Sequence, residues 1–127
     1  MWPLGFSVTY LEDSGVVEAT YTGTVTPEEL DQALTATGTL AAETVCNRFL
    51  IDARDQDPSG GSAFDILRLA EFLASLPPGL IDREAILSPP SAQGTDDMHF
   101  FETAARNRGL NVLMFTSRED ALVWLAE

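Results

Sequence analysis

The sequence contains no lysine. All seven basic residues are arginines, against 20 acidic residues, and the formal net charge at pH 7 is −13. A Schiff base, a pyridoxal aldimine and the phosphate grip of a Walker A loop each need a lysine ammonium, so these chemistries are excluded. Nucleic-acid binding needs many basic side chains, and an anionic membrane surface repels a chain of this charge. We therefore expect neither as a partner.

Cysteine and long apolar runs are also scarce. Cys46 is the single cysteine, so no intrachain disulfide forms and a reducing compartment, the cytoplasm, is expected. No apolar run approaches the ~20 residues that span a bilayer, and Met1–Gly5 lacks the basic and apolar regions of a secretory signal. With 127 residues, of which 45% are hydrophobic, we expect one domain over 1–127 and no membrane insertion.

Two alternating segments near the start predict an antiparallel hairpin. Apolar and polar residues alternate over 6–10 and again over 17–21, a pattern typical of half-buried strands. Turn-forming residues separate the two segments, and Gly15 is free to adopt positive φ. Thr26-Pro27-Glu28-Glu29 then predicts a capping box at the start of a helix, which ends either before Gly38 or at Ala42.

The rest of the chain has a different hydrophobic pattern. Three short runs without alternation, 49–51, 85–87 and 112–115, predict parallel strands covered on both faces. Helices are predicted between and after them, over 63–76, 97–108 and 118–126, with Asp96 and Asp97 at the N-terminus of the middle one. The expected fold class is α/β, with a mixed, mainly parallel sheet, an N-terminal antiparallel hairpin and about four helices.

Polar residues concentrate in the predicted connection 52–62 between a strand and a helix. Ligands of open α/β sheets bind beyond the carboxyl ends of the strands, so this connection is a candidate site. A phosphate on a serine at the helix start would be stabilised by free N–H groups, and its charge would switch off a partner interface. Turn formation, capping and solvation explain the same residues without a site. The candidate phospho-acceptor or ligand residues are Asp52, Asp55, Asp57, Ser59, Gly60 and Ser62.

Two other chemistries match this sequence only in part. Residues 55–60 resemble the first half of an EF-hand calcium loop, but Ile66 stands where the bidentate glutamate belongs. His99, the single histidine, shares a helical face with Glu102, yet no Gly-x-Ser-x-Gly elbow supplies a nucleophile. An enzyme using His99 with the carboxylates of 52–57 is thus a third-ranked hypothesis. We expect no catalytic residue, metal or cofactor, and we expect Cys46 to be a small core residue.

The helix predicted over 63–76 is unusually apolar. Its polar residues form one narrow stripe, so the apolar surface exceeds the ~100° that a surface helix usually buries. The rest of the core, a dimer contact, a partner protein or an apolar-ligand pocket would cover the excess. The candidate partner or apolar-ligand surface consists of Phe64, Leu69, Phe72 and Leu73.

The order of elements resembles the STAS-like superfamily of sulphate transporters and anti-sigma-factor antagonists, and more narrowly its small stand-alone bacterial branch. The segments that carry the resemblance are the hairpin, residues 21–29, Leu50-Ile51-Asp52, Asp57-Pro58-Ser59-Gly60 and residues 115–125. It implies a non-enzymatic domain with helices mainly on one face of the sheet. It also implies a phosphorylatable serine in an Asp-Ser-Ser-Gly-type loop, where Ser59 here matches the second serine and Pro58 replaces the first.

Two functional hypotheses follow. The first is a binding or regulatory module without catalysis, which acts through contact with a protein partner or as a homodimer and is regulated by phosphorylation. The second is a small apolar-ligand or lipid-binding carrier domain, in which the apolar helix lines a pocket. Because aspartates concentrate at the candidate edge, a contact there should prefer a basic patch or a cation and weaken with salt.

Overall fold

The computed structural model describes residues 5–57 and 63–127, the side chains of Ala63 and Phe64 excepted. Ser59, Gly60 and Ser62 therefore lie outside the described residues, as does the side chain of Phe64. The strands and helices, in chain order, are β1 (Phe6–Leu11), β2 (Val16–Gly23), α1 (Pro27–Thr44), β3 (Arg48–Gln56), α2 (Ala63–Ala74), β4 (Arg83–Leu87), α3 (Ala92–Arg106), β5 (Val112–Phe115) and α4 (Arg118–Leu125).

The five strands form one mixed sheet in the order β1-β2-β3-β4-β5. β1 runs antiparallel to β2, with Phe6 opposite Tyr21 and Leu11 opposite Val16, and every other neighbouring pair is parallel. Gly15 closes the hairpin with a φ of +66°, a conformation that a side chain would disfavour. The predicted hairpin and mainly parallel sheet are confirmed.

Helices cover both faces of the sheet unequally. Alternate residues of a strand point to opposite faces: Phe49 packs with α1, whereas its neighbour Leu50 packs with α4. α2 and α3 pack around Ile86 on the α1 face, and Ala121 and Leu125 of α4 are buried against the other face. In the described part of the chain, three helices lie on one face and one on the other, which matches the implied arrangement.

The start of α1 has the predicted capping box, and its end lies beyond both predicted positions. The Thr26 hydroxyl accepts a 3.1 Å hydrogen bond from the Glu29 N–H, and Glu29 accepts one from the Thr26 N–H. The helix then runs through Gly38 to Thr44. Threonine is a weak helix former, but here the threonine hydroxyls donate to carbonyls one turn back, and Ala33 and Ala41 are buried against the sheet.

Two further predicted boundaries, the start of α3 and the end of β3, are also wrong. α3 begins at Ala92 rather than at residue 97, because the Ser91 hydroxyl caps it by accepting a 3.0 Å hydrogen bond from the Gly94 N–H. Asp96 and Asp97 therefore lie beyond its first turn. β3 continues to Gln56, so residues 52–56 belong to this strand instead of forming a loop, and Asp52, Asp55 and Gln56 pair with β2.

Candidate functional site

An open cleft of about 650 Å³ lies on the sheet face that α1, α2 and α3 cover. α1 lines one side of it, and α2 with the segment that follows lines the other. Side chains of β2, β3 and β4 form its floor, namely Tyr21, Phe49, Ile51 and Glu84. The volume falls within the range of about 300–1,000 Å³ that is usual for small-molecule sites.

The mouth of the cleft is apolar and exposed. Five large hydrophobic side chains of the described residues are exposed, and three of them line this cleft: Val45 (93%), Phe72 (50%) and Leu80 (51%). Scattered exposed apolar residues are common on soluble proteins, whereas a concentration at one concave site typically marks a binding surface.

Small residues on α1 keep the cleft open. Gly38 lines it from the middle of the helix, and a Cβ added there would have no atom within 4 Å. Ala41 and Ala42 line it one turn later. A leucine at Gly38 would project into space that is now empty, so this glycine, a weak helix former, keeps one wall of the cleft open.

Glu84 is a buried carboxyl in the floor of this cleft. It is only 7% exposed, and its Oε2 has no hydrogen-bond partner among the described residues. Burial raises the pKa of Glu84 to about 7, since desolvation disfavours the charged form. Burial, and then the negative charge of Glu84, raise the pKa of the nearby Tyr21 to about 12.

Sequence reasoning missed Glu84, which stands next to the apolar run 85–87. A signal was available: Glu84 is two residues before Ile86 and so points to the same sheet face. A charged residue in that register, in a strand covered on both faces, is rare without a partner or a role.

Val45 forms the C-cap of α1 in an unfavourable conformation. Its φ and ψ are 52° and 50°, the left-handed region, and its N–H donates to the carbonyls of Ala41 and Ala42. This position usually holds glycine or asparagine. Cys46 follows, half-buried, and its Sγ lies 3.3 and 3.2 Å from the carbonyl oxygens of Gly15 and Arg48, both within reach of its single S–H.

The acidic residues of the predicted loop lie apart from the cleft. Asp52 points to the α4 face and binds the Arg54 guanidinium at 2.9 and 3.0 Å; that hydrogen bonding lowers the pKa of Asp52. Asp55 is exposed near the end of β3. Asp57 follows the strand, where its N–H donates to the Gly23 carbonyl at 2.8 Å. None of the three lines the cleft.

The predicted apolar surface of α2 is divided by the fold. Phe72 and Leu73 line the cleft, whereas Leu69 packs, half-buried, against the cluster around Ile86. His99 is exposed, with Nδ1 3.5 Å from Glu102 Oε1, at the predicted helical spacing. Glu102 also accepts a 2.6 Å hydrogen bond from the Met114 N–H, which ties α3 to β5.

The described residues contain neither a metal-binding cluster nor a membrane-spanning helix. No group of three or more His, Cys, Asp or Glu side chains within 5–57 and 63–127 is arranged to hold a metal ion. In the same part of the chain, no helix has the length and hydropathy needed to cross a membrane.

Comparison with known proteins identifies the fold. No family model and no curated protein matches the chain. Among solved structures, the chain is similar to an uncharacterized protein of the DUF3478 family from Shewanella loihica PV-4, which has a SpoIIAA-like fold. It is 21% identical, with a TM-score of 0.61 over 94% of this chain and 91% of that one. The fold is SpoIIAA-like. This confirms the predicted STAS-like architecture. At a sequence identity of 21%, the similarity shows the fold alone.

Proposed function

We propose that this SpoIIAA-like chain is a non-enzymatic binding domain that takes a small apolar molecule into the cleft between α1 and α2. The concentration of exposed Val45, Phe72 and Leu80 around a cavity of about 650 Å³ carries this proposal. Burying these side chains against a ligand would remove apolar surface from water, and each Å² of apolar surface buried stabilises the complex by about 25 cal/mol. The carrier hypothesis is thus the better supported of the two that the sequence left open.

A neutral apolar dye, Nile red, tests the proposal. Its fluorescence should rise on binding, and Phe72→Ser should weaken binding by about tenfold, since a large apolar contact is lost. Phe100→Ser is the matched control: Phe100 is also a half-exposed phenylalanine on a helix, 42% against 50%, but lies outside the cleft lining.

Filling the cleft from the opposite wall gives an independent test. Gly38→Leu should reduce Nile red binding, with Gly38→Ala between it and the natural protein, because the added side chain occupies the empty space beside α1. Absence of dye binding, or equal binding by the Phe72→Ser and Phe100→Ser variants, would overturn the proposal.

A regulatory protein contact is the second candidate function. It is supported by the exposure of Asp55 and Asp57 at the carboxyl end of β3 and by the net charge of −13, which favour a basic partner. Phosphorylation of Ser59 or Ser62 stays a prediction, as does a homodimer in the bacterial cytoplasm. Sedimentation equilibrium at low and high salt tests self-association, and a monomer under both conditions would contradict the homodimer.

A further inference from the structure

We propose that Glu84 is the polar anchor of the cleft and that it selects apolar molecules carrying a hydrogen-bond donor, protonated amines above all, over apolar anions such as fatty-acid carboxylates. This inference rests on the proposed function, because it requires that a ligand enters the cleft. It names the chemical class that the cleft prefers.

The first argument is the unmet hydrogen-bonding capacity of Glu84. Its carboxyl is more than nine-tenths buried and lines the cleft, and Oε2 has no partner in the described part of the chain. None of the salt bridges between described residues includes it. A buried acceptor without a donor is costly, whereas an apolar residue of similar size would fit without that cost. A ligand that supplies the donor removes the deficit.

The second argument is the charge of the cleft walls. The ionisable side chains in its lining are Tyr21 from β2, Asp31 from α1, Cys46 after α1, and Glu84 from β4. Among the described residues, β3, α2 and the segment after α2 contribute no ionisable side chain to the lining, and no arginine lines the cleft. Each of these side chains is either neutral or negatively charged, so the cleft walls carry no positive charge from them. An ammonium is attracted to such a site, while a carboxylate or phosphate is repelled.

The third argument is that the anchor and the apolar contacts are correctly arranged for an amphiphile. Glu84 belongs to the sheet floor, and the exposed Val45, Phe72 and Leu80 belong to the rim. A ligand placed with its donor against the floor lays its hydrocarbon part along the apolar walls. Burial raises the pKa of Glu84 to about 7, so at neutral pH the carboxyl can accept from an ammonium or share a proton with a hydroxyl.

Three molecules with the same hydrocarbon chain test the inference by isothermal titration calorimetry at pH 7: decylamine, decanol and decanoate. We expect decylamine to bind at least about tenfold more tightly than decanoate, with decanol between them, because a charge-assisted hydrogen bond replaces a repulsion. Glu84→Gln should remove most of this preference. Glu119→Gln, which replaces a carboxylate at an exposed position of α4 outside the cleft lining, should retain it.

The outcomes separate the two proposals. If none of the three binds, the proposed function fails. If all three bind with equal affinity, or decanoate binds most tightly, the cleft is a binding site but Glu84 is not its selective anchor. If Glu84→Gln does not fold, as judged by circular dichroism, the order of affinities in the natural protein alone decides the question. An unchanged preference in a folded Glu84→Gln variant would also overturn the role of Glu84.

Discussion

Arg83 lies over the ring of Trp124 and also caps the helix that carries it. Its Cζ is 5.1 Å from the ring centroid, and its Nη1 donates a 2.6 Å hydrogen bond to the Trp124 carbonyl. Arg48 of β3 donates to the carbonyl of the next residue, Leu125. The last carbonyls of a helix lack partners within the helix and attract positive charge, so two arginines from neighbouring strands fasten the end of α4 to the sheet.

Arg83→Ala should therefore lower the free energy of unfolding by about 1–3 kcal/mol, since it removes a hydrogen bond from a charged group and a cation–π contact. Arg83→Lys should recover part of the loss, because it keeps the charge but not the planar fork. Urea denaturation measures both. Arg54→Ala is the control: Arg54 is exposed and pairs with Asp52 two residues away, so its loss should cost less than about 1 kcal/mol. Equal effects of the two alanine variants would contradict this account.

Two glycines on helices should respond in opposite ways to alanine. Gly38 lies inside α1 with open space where a Cβ would be, so Gly38→Ala should stabilise the protein by about 0.5–1 kcal/mol. Gly94 is buried near the start of α3, and a Cβ there would lie 2.6 Å from Pro89 Cβ. Gly94→Ala should therefore destabilise the protein by about 1–3 kcal/mol. Thermal unfolding of both variants shows whether each substitution raises or lowers the melting temperature. A change in the same direction for both would refute the packing argument.

The buried Glu84 predicts a pH dependence of stability. Because its pKa rises from 4.5 in the unfolded chain to about 7 in the fold, the folded state binds more protons between these values, and stability falls as pH rises through them. The loss should approach about 3 kcal/mol by pH 8. The lowered pKa of Asp52 has the opposite sign: its contribution is present above pH 3.8 and is lost only as pH falls further. Burial also raises the pKa of Asp97, which acts in the same direction as Glu84, so the contribution of Glu84 is measured by comparison with a Glu84→Gln variant between pH 5 and 8.

Chemical denaturation across that window, without ligand, compares the natural protein with Glu84→Gln. The natural protein should lose stability with rising pH, and the variant should show a flatter profile, since an amide does not titrate. Parallel profiles would show that Glu84 does not carry the effect.

Much of the fold was predictable because it depends on local signals. The hairpin followed from alternation and Gly15, and the start of α1 followed from the Thr26 and Glu29 pair. The end of α1 was not predictable from local signals, because the packing of Ala33 and Ala41 on the sheet outweighs the low helix propensity of the threonines. The start of α3 was placed too late because the single cap at Ser91 is a weaker sequence signal than the aspartates at 96 and 97.

The candidate site was only half predictable. An over-apolar α2 indicated a covered surface, and Phe72 and Leu73 do line the cleft. The opposite wall depends on what α1 lacks at Gly38, and the floor depends on the register that turns Glu84 toward the helices. Both depend on three-dimensional neighbours. The acidic run 52–57 was predicted to be a loop, but residues 52–56 belong to β3.

We expect the Val45 side chain to lower the stability of the fold and to raise its affinity for an apolar ligand. A β-branched residue in the left-handed conformation is strained by about 1–2 kcal/mol, and its side chain, 93% exposed at the cleft mouth, gains little from the protein itself. Val45→Gly should relieve the strain and raise the unfolding free energy by about 1 kcal/mol, while Nile red affinity falls because an apolar contact is lost. Val123→Gly, which removes an exposed valine from α4 far from the cleft lining, should lower stability without affecting the dye. If Val45→Gly gains stability and keeps full affinity, the strained valine has no part in binding.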